Sequence, residues 1–126
     1  MKRLTIMVLG GLLLSAFTLF SSLDDVVSAL KTGNTDQITK YFDNTVEITM
    51  PDRSNTYSKS QAELVLKDFF ATNTVKSFEV QHKGESNGSK YCIGILSTKT
   101  GSYRTTVFMK QKGDKLLLQE LHFENN

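Results

Sequence analysis

The chain has 126 residues, of which 39% are hydrophobic and 22% are charged, as is ordinary for one folded domain. Its formal net charge is +2, but two of the 15 basic residues, Lys2 and Arg3, lie before the first apolar run, and the other 13 equal the acidic residues in number. Without a net positive field or a local run of basic residues, we expect no nucleic-acid partner.

The N-terminus has the pattern of an export signal. Lys2 and Arg3 precede an apolar run of 17 residues that ends at Phe20, and two serines follow. We therefore predict a signal peptide over residues 1–22, a folded domain over residues 23–126, and a secreted or periplasmic location after cleavage. The protein would then meet the membrane only through the uncleaved segment. An uncleaved anchor is the alternative, because 17 residues is the lower end of the length that crosses a bilayer.

The first helix after the signal is predicted from apolar spacing. Leu23, Val26, Val27 and Leu30 recur at the helical period, and Gly33 ends the helix. Two acidic residues in the first turn suit the positive end of the helix dipole.

A second, short helix is predicted to begin at Asn34. Asn34 and Gln37 have the spacing of a capping box, and Ile38, Tyr41 and Phe42 form the apolar face. A helix this short is not stable alone in water, so we expect it to pack against the strand that follows.

That strand is predicted from a change of period. Val46, Ile48 and Met50 alternate with polar residues, and Pro51 closes the strand because it has no donor for the ladder. A short second strand is possible around residues 56–57.

The third helix has the clearest pattern. Ser58 and Gln61 form a second capping box, and Glu63 and Lys67 are spaced to pair on the exposed side. The helix carries a broad apolar stripe made of Ala62, Val65, Leu66, Phe69 and Phe70.

From Thr74 onward the pattern is that of strands. Three turn signals, at Gly84–Gly88, Lys99–Ser102 and Lys112–Asp114, divide the segment into four antiparallel strands. The predicted fold class is α+β, with three helices packed on one face of a strongly curved, mostly antiparallel sheet.

Two stretches in this order of elements, LKTGNTDQITKYFDNTVEITMPD and YSKSQAELVLKDFF, resemble the nuclear transport factor 2-like superfamily. More narrowly, the region from Leu23 to Phe123 looks like a group of small secreted bacterial proteins known only as a domain of unknown function. The resemblance implies a cystatin-like cone with a cavity between helices and sheet, and a homodimer through the outer sheet face. It carries no catalytic signature, and fold does not choose among the functions of the superfamily.

Aromatic residues are the candidate ligand contacts, because a tyrosine can bury its ring and still present its hydroxyl. Tyr103 is in phase with Thr105, Val107 and Met109, and Tyr91 is in phase with Ile93 and Ile95, so these two strands are predicted to line one cavity. The candidate ligand-binding residues are Tyr41, Tyr57, Tyr91, Tyr103 and Met109.

No residue is assigned a catalytic role. Glu120 and His122 share one face of the last strand, together with Leu116 and Leu118. The opposite face carries Leu117, Leu121 and Phe123, and we expect that face to meet the core, which leaves Glu120 and His122 at the surface. His82 is an alternative base at a strand end.

The other carboxylates and the cysteine do not point to a catalytic or metal site. Glu47 and Glu79 alternate away from apolar neighbours and are expected to face solvent. Cys92 has no other cysteine to pair with and lies in the middle of a strand, where a thiol acts as a small apolar residue. His82, His122 and Cys92 lack metal-ligand spacing, so neither a metal nor another cofactor is predicted.

Three functions stay open. The favoured one is an exported, non-enzymatic domain that binds a small apolar or amphipathic molecule. The second is a small isomerase or lyase, which requires Glu120, His122 or His82 inside the cavity. The third is an interaction module of the cell envelope whose outer sheet face, with Arg104 and Thr106, pairs with itself or another protein.

Overall fold

The structure is a computed structural model in which residues 22–126 are described. The predicted signal peptide therefore lies outside the described residues, apart from its last position. Within the described range, no helix is both long enough and apolar enough to cross a membrane. The elements in chain order are α1 (22–32), α2 (Thr35–Thr39), β1 (Phe42–Met50), β2 (Arg53–Ser58), α3 (Lys59–Thr72), β3 (Val75–Ser86), β4 (Ser89–Thr98), β5 (Gly101–Lys112) and β6 (Lys115–Asn125).

The six strands form one sheet in the order β2-β1-β6-β5-β4-β3. Strands β3 to β6 are the predicted antiparallel meander, and β1 and β2 form an antiparallel hairpin. The hairpin joins the meander through β1 and β6, which run parallel. The α+β class, with helices and a mostly antiparallel sheet, is therefore confirmed.

Local signals set the helix ends as predicted. Gly33 ends α1 with a positive φ of 67°. The side chain of Asn34 accepts a hydrogen bond from the backbone N–H of Gln37 at 3.2 Å, and Ser58 accepts one from the N–H of Gln61 at 3.4 Å. Helices α2 and α3 thus begin at the predicted side-chain caps.

Helix α2 is shorter than predicted and does not include Tyr41 and Phe42. The carbonyl of Tyr41 accepts a hydrogen bond from the N–H of Leu118 at 2.6 Å, and Phe42 is the first residue of β1. Directly after α2, the backbone therefore pairs with β6 and does not continue the helix. The buried ring of Phe42 belongs to the sheet.

The helices and one sheet face enclose the core. In α3, Phe69 stacks on Phe123 of β6 with ring centroids 4.4 Å apart, and Phe70 meets the same ring edge-on at 6.2 Å. The largest fully buried side chains are Leu30, Ile38, Ile48, Leu66, Leu96, Met109, Leu118, Leu121 and Phe123.

The sheet is not strongly curled, which corrects the predicted strong curvature. Large side chains from both layers occupy the space that a deep cone would enclose. Leu30 and Leu66 from the helices and Leu121 and Phe123 from β6 have no exposed surface. The helices therefore pack directly on the sheet in this region.

A β-bulge changes the phase of β6. Phe108 pairs with Glu120, but the next residue of β5, Met109, pairs with Leu118, so Gln119 is an extra residue on β6. The alternation of side chains between the core face and the outer face is therefore shifted by one residue after Gln119.

The bulge corrects the predicted faces of this strand. Leu118 is fully buried in the core, like Leu121 after the bulge, and Leu116 packs against the same core. Leu116 and Leu118 thus do not share a face with Glu120 and His122. Strict alternation fails here because one residue is inserted.

Asp43 connects three strands beside the bulge. Its Oδ2 lies 2.6 Å from Lys112 Nζ on β5 and accepts a hydrogen bond from Gln119 Nε2 on β6 at 3.0 Å. Its Oδ1 accepts from the N–H of Asn44 at 2.7 Å. The Lys112 hydrogen bond is the main reason that the pKa of Asp43 lies below its ordinary value.

We expect Asp43→Asn to lower the free energy of unfolding by about 1 to 2 kcal/mol at pH 7, because a buried charge-assisted hydrogen bond is lost. A lowered folded-state pKa stabilises the protein above the unfolded value of about 4, and this contribution disappears as the pH falls through the folded pKa. Urea unfolding of both proteins from pH 7 down to pH 3 measures the difference.

The difference between the wild type and Asp43→Asn should shrink as the pH falls. Asp114→Asn, at an exposed position of the β5–β6 turn, removes the same charge and is the control. A constant difference at all pH values would contradict the assigned role of the Asp43 carboxylate.

Candidate functional site

An open cleft of about 630 Å³ lies between the β1–β2 turn, α3 and β5. Its apolar surface includes Val65 and Phe69 of α3 and Met50 of β1, and its polar groups include Arg53 and Asn73. A concave surface with mostly apolar walls and a few polar groups is typical of small-molecule sites. This cleft is the candidate functional site.

Helix geometry explains why α3 contributes so much of the cleft. Leu64, Asp68 and Thr72 recur every four residues and line it as one face of the helix. Leu64 has 67% of its surface exposed, although it is a large apolar residue. Leu64 lies next to the apolar stripe of α3, so apolar surface of this helix continues from the core into the cleft.

Tyr103 forms the sheet side of the cleft. Its hydroxyl donates to Asn73 Oδ1 at 3.1 Å, and the hydroxyl of Thr100 donates to the same oxygen. Asn73 in turn donates from Nδ2 to the carbonyl of Phe69 at 3.0 Å. The Tyr103 ring meets Phe69 edge-on at 5.4 Å. These contacts join the end of α3 to β5 and hold the aromatic wall in place.

Charges of both signs lie at the rim of the cleft. The β1–β2 turn contributes Asp52 and Arg53, and α3 contributes Asp68. The cleft therefore combines an apolar wall with ionic groups, which suits a molecule that has both an apolar and a polar part.

Tyr41 and Tyr57 lie away from the cleft. The hydroxyl of Tyr41 donates to Asp25 Oδ2 at 2.5 Å. Burial, with added contributions from the hydrogen bond and the charge of Asp25, raises the pKa of Tyr41 to about 12. Tyr57 packs against the core, and its hydroxyl accepts from Asn55 Nδ2 at 3.3 Å. In this structure, both hydroxyls already have protein partners.

Tyr91 and Met109 do not line the cleft either. Tyr91 pairs with Phe108, whereas Tyr103 is in phase with fully buried Met109, so the two tyrosines lie on opposite sheet faces. The Tyr91 ring covers Gly84, where an added Cβ would lie 2.4 Å from a ring carbon. Of the five predicted ligand contacts, only Tyr103 lines the cleft. The prediction placed Tyr91 and Tyr103 in one cavity from the alternation within each strand. It did not include the register between the two strands.

The outer sheet face carries a separate group of titratable side chains. His122 Nε2 lies 3.3 Å from Glu47 Oε2 and 3.4 Å from Glu120 Oε1. Burial raises the pKa of Glu120, the hydrogen bond and charge of Glu47 raise it further, and His122 opposes the rise. His82 lies in register with Ile93 and Thr106 on this same face.

This placement bears on the acid–base hypothesis. Glu120, His122 and His82 all lie on the face away from the helices, so none enters the space between helices and sheet. Glu47 was expected to face solvent, and it is partly exposed but has His122 as a partner. No sequence pattern joins Glu47 with Glu120, because their strands are far apart along the chain.

Cys92 is fully buried on the core face. Burial raises the pKa of its thiol to about 11, so the reactive thiolate is scarce at neutral pH. This agrees with its predicted role as a small apolar side chain.

Residues 23–124 match the model of a protein family described as a domain of unknown function, DUF4783. The chain belongs to this family. A solved DUF4783 protein from Bacteroides fragilis is 30% identical, with a TM-score of 0.77 over 81% of this chain and 96% of that one. A second, from Bacteroides uniformis, is 29% identical, with a TM-score of 0.79 over 82% and 95%.

The DUF4783 chain also shares its fold with more distant proteins. An NTF2-like protein of unknown function from Cytophaga hutchinsonii is 11% identical, with a TM-score of 0.61 over 86% of this chain and 89% of that one. This likeness shows the fold alone. The predicted resemblance to a family of unknown function is confirmed, and the predicted resemblance to nuclear transport factor 2-like proteins is confirmed for the fold. No protein with a curated description matches the sequence.

We expect Tyr103→Phe to lower the free energy of unfolding by about 1 kcal/mol, because it removes the hydrogen bond to Asn73 and keeps the ring contact with Phe69. Tyr57→Phe is the matched control, since its hydroxyl has only an exposed partner, and its effect should stay within about 0.5 kcal/mol. Urea unfolding measures both. Equal effects of the two substitutions would contradict the role assigned to the Tyr103–Asn73 contact.

Proposed function

We propose that this protein is an exported, non-enzymatic domain that binds a small amphipathic molecule in the cleft beside α3. One observation carries the proposal: the cleft joins an apolar wall, made by Val65, Phe69 and Tyr103, to an incompletely covered apolar residue, Leu64. A ligand with an apolar part would remove this surface from water. The same ligand would place its polar part near the rim, where Arg53 lies.

The ligand sits in an open cleft in this proposal and not in a deep cone. The region between the helices and the sheet holds buried side chains such as Leu66 and Phe123, so binding there would require the core to open. Binding beside α3 requires no such change. A non-enzymatic role is supported by the outward placement of Glu120, His122 and His82, since none of them faces the cleft.

Export is supported by the N-terminal sequence. Lys2, Arg3 and the apolar run up to Phe20 have the order of a signal peptide, and the family match begins at Leu23, directly after the predicted signal. The proposed location is secreted or periplasmic, with membrane contact limited to the segment before cleavage.

The test uses the purified protein and an anilinonaphthalene sulfonate dye, whose fluorescence rises in an apolar site. We expect Leu64→Ser to weaken dye binding about tenfold, because burial of a leucine side chain contributes about 1.5 kcal/mol. Lys67→Ser, on the same helix but not part of the cleft lining, is the matched control and should bind as the wild type does.

Amide chemical shifts locate the bound dye. Changes confined to the end of α3, the β1–β2 turn and Tyr103 are expected. The proposal fails if the dye does not bind, or if Leu64→Ser and the wild type bind it equally.

A second proposal is a homodimer formed through the outer sheet face. Strands β4 and β5 present partly buried Tyr91, Ile93, Ile95 and Phe108 on this face. Arg104 pairs in register with Glu124 on one side and Ile95 on the other. A row with both signs of charge beside apolar side chains can complement a second copy of itself.

Light scattering over a range of protein concentrations tests the homodimer. We expect a dimer for the wild type and a shift toward the monomer for Arg104→Glu, because charge reversal places like charges beside Glu124. Lys99→Glu in the exposed β4–β5 turn is the control and should keep the wild-type mass. A wild type that is monomeric at every concentration would exclude this interface.

A further inference from the structure

Three potential metal ligands converge on the outer face of β1 and β6. Glu47 comes from β1, and Glu120 and His122 come from β6. One ligand atom of each residue, a carboxylate oxygen or an imidazole nitrogen, lies within 4.8 Å of the other two. This group is distinct from the cleft, which lies beside α3.

The sheet register explains the convergence. Glu47 and Glu120 are direct partners on neighbouring parallel strands, and His122 is two residues further along β6, so all three side chains point the same way. The bulge at Gln119 is required for this arrangement, because an unbroken alternation from buried Leu118 would turn Glu120 toward the core.

The spacing of the ligand atoms fits a small divalent ion. In tetrahedral zinc sites the ligands lie about 2.0 to 2.1 Å from the metal, which places neighbouring ligand atoms about 3.3 to 3.4 Å apart. His122 Nε2 is 3.3 Å from Glu47 Oε2 and 3.4 Å from Glu120 Oε1. Both imidazole-to-carboxylate distances therefore already fit an ion, and all three ligand atoms lie within 4.8 Å of one another.

The charge of the group also favours a cation. Two carboxylates lie side by side, and their side chains keep 41% and 38% of their surface exposed for Glu47 and Glu120, respectively. Two such charges repel each other, and a divalent cation between them removes the repulsion. The imidazole of His122, with 25% of its side chain exposed, contacts both carboxylates.

We propose that Glu47, Glu120 and His122 bind one divalent first-row transition-metal ion per chain. Glu47 Oε2, Glu120 Oε1 and His122 Nε2 supply three ligands, and water completes the coordination. An imidazole nitrogen beside carboxylate oxygens suits Zn²⁺, whereas Mg²⁺ and Ca²⁺ prefer a shell of oxygen atoms. The proposal does not depend on a ligand in the cleft.

The experiment titrates the purified protein with Zn²⁺ against a chromophoric chelator. We expect one strong site per chain in the wild type. Glu47→Gln and His122→Ala should each weaken Zn²⁺ binding at least about tenfold, since loss of even an outer partner of a ligand costs this much. Because Glu47 is partly exposed, Glu47→Gln is expected to fold even if His122→Ala does not.

Two control variants separate this site from general surface binding. His82→Ala removes the only other histidine, from the same sheet face, and Glu79→Gln removes an exposed carboxylate from β3. Both should bind Zn²⁺ as the wild type does. Thermal unfolding gives a second measurement: Zn²⁺ should raise the melting temperature of the wild type and of both controls, but not of Glu47→Gln.

Four results would overturn the proposal. The first is that the wild type binds Zn²⁺ no more tightly than Glu47→Gln does, and the second is that His82→Ala and His122→Ala lose equal Zn²⁺ affinity. The third is a stoichiometry of one ion per two chains, and the fourth is Ca²⁺ binding as tight as Zn²⁺ binding. The first would leave the three residues as a hydrogen-bonded cluster, and the third would place ligands from two chains around one ion.

Discussion

The pairing of β6 with β1 is the contact on which the rest of the structure depends. It is the parallel pair in the sheet, and it joins the N-terminal hairpin to the C-terminal meander. Leu118, Leu121 and Phe123 of β6 are fully buried, and Phe123 receives the two phenylalanines of α3. One strand thus joins the N-terminal hairpin to the C-terminal meander and lies at the centre of the core.

The bulge in β6 determines which side chains of this strand lie on each face of the sheet. Before Gln119 the strand directs Leu118 to the core, and after it Leu121 and Phe123 continue in that role. Glu120 and His122 are thereby turned to the outer face, next to Glu47. A single extra residue therefore lets one strand supply apolar side chains to the core on both sides of the bulge and still present Glu120 and His122 on the outer face.

Sequence patterns predicted the features that depend on neighbours along the chain. The caps at Asn34 and Ser58, the end of α1 at Gly33 and the three hairpin turns of the meander were all predicted, because each is governed by a few adjacent residues. Tyr103 was correctly placed with Val107 and Met109 because alternation within one strand is also local.

Features that depend on contacts between distant segments were not predictable in the same way. The faces of Leu116 and Leu118 were wrong because alternation contains no sign of an inserted residue. Tyr91 was grouped with Tyr103 because their strands were read separately, and Glu47 was not joined to Glu120 because parallel pairing across the sheet leaves no local pattern. The cleft residue Asn73 was missed because its role arises only where α3 ends against β5.

An open sheet also leaves two outermost strands, β2 and β3, with unpaired backbone groups. Such edge strands readily pair with strands of other molecules, and this pairing can start aggregation. Here β2 is short and exposes mainly polar residues, while β3 exposes Lys76, Glu79, Lys83 and Glu85 and is interrupted by a shift of register after Val80. The margins of this sheet therefore discourage the addition of further strands, and the proposed homodimer uses the outer sheet face instead.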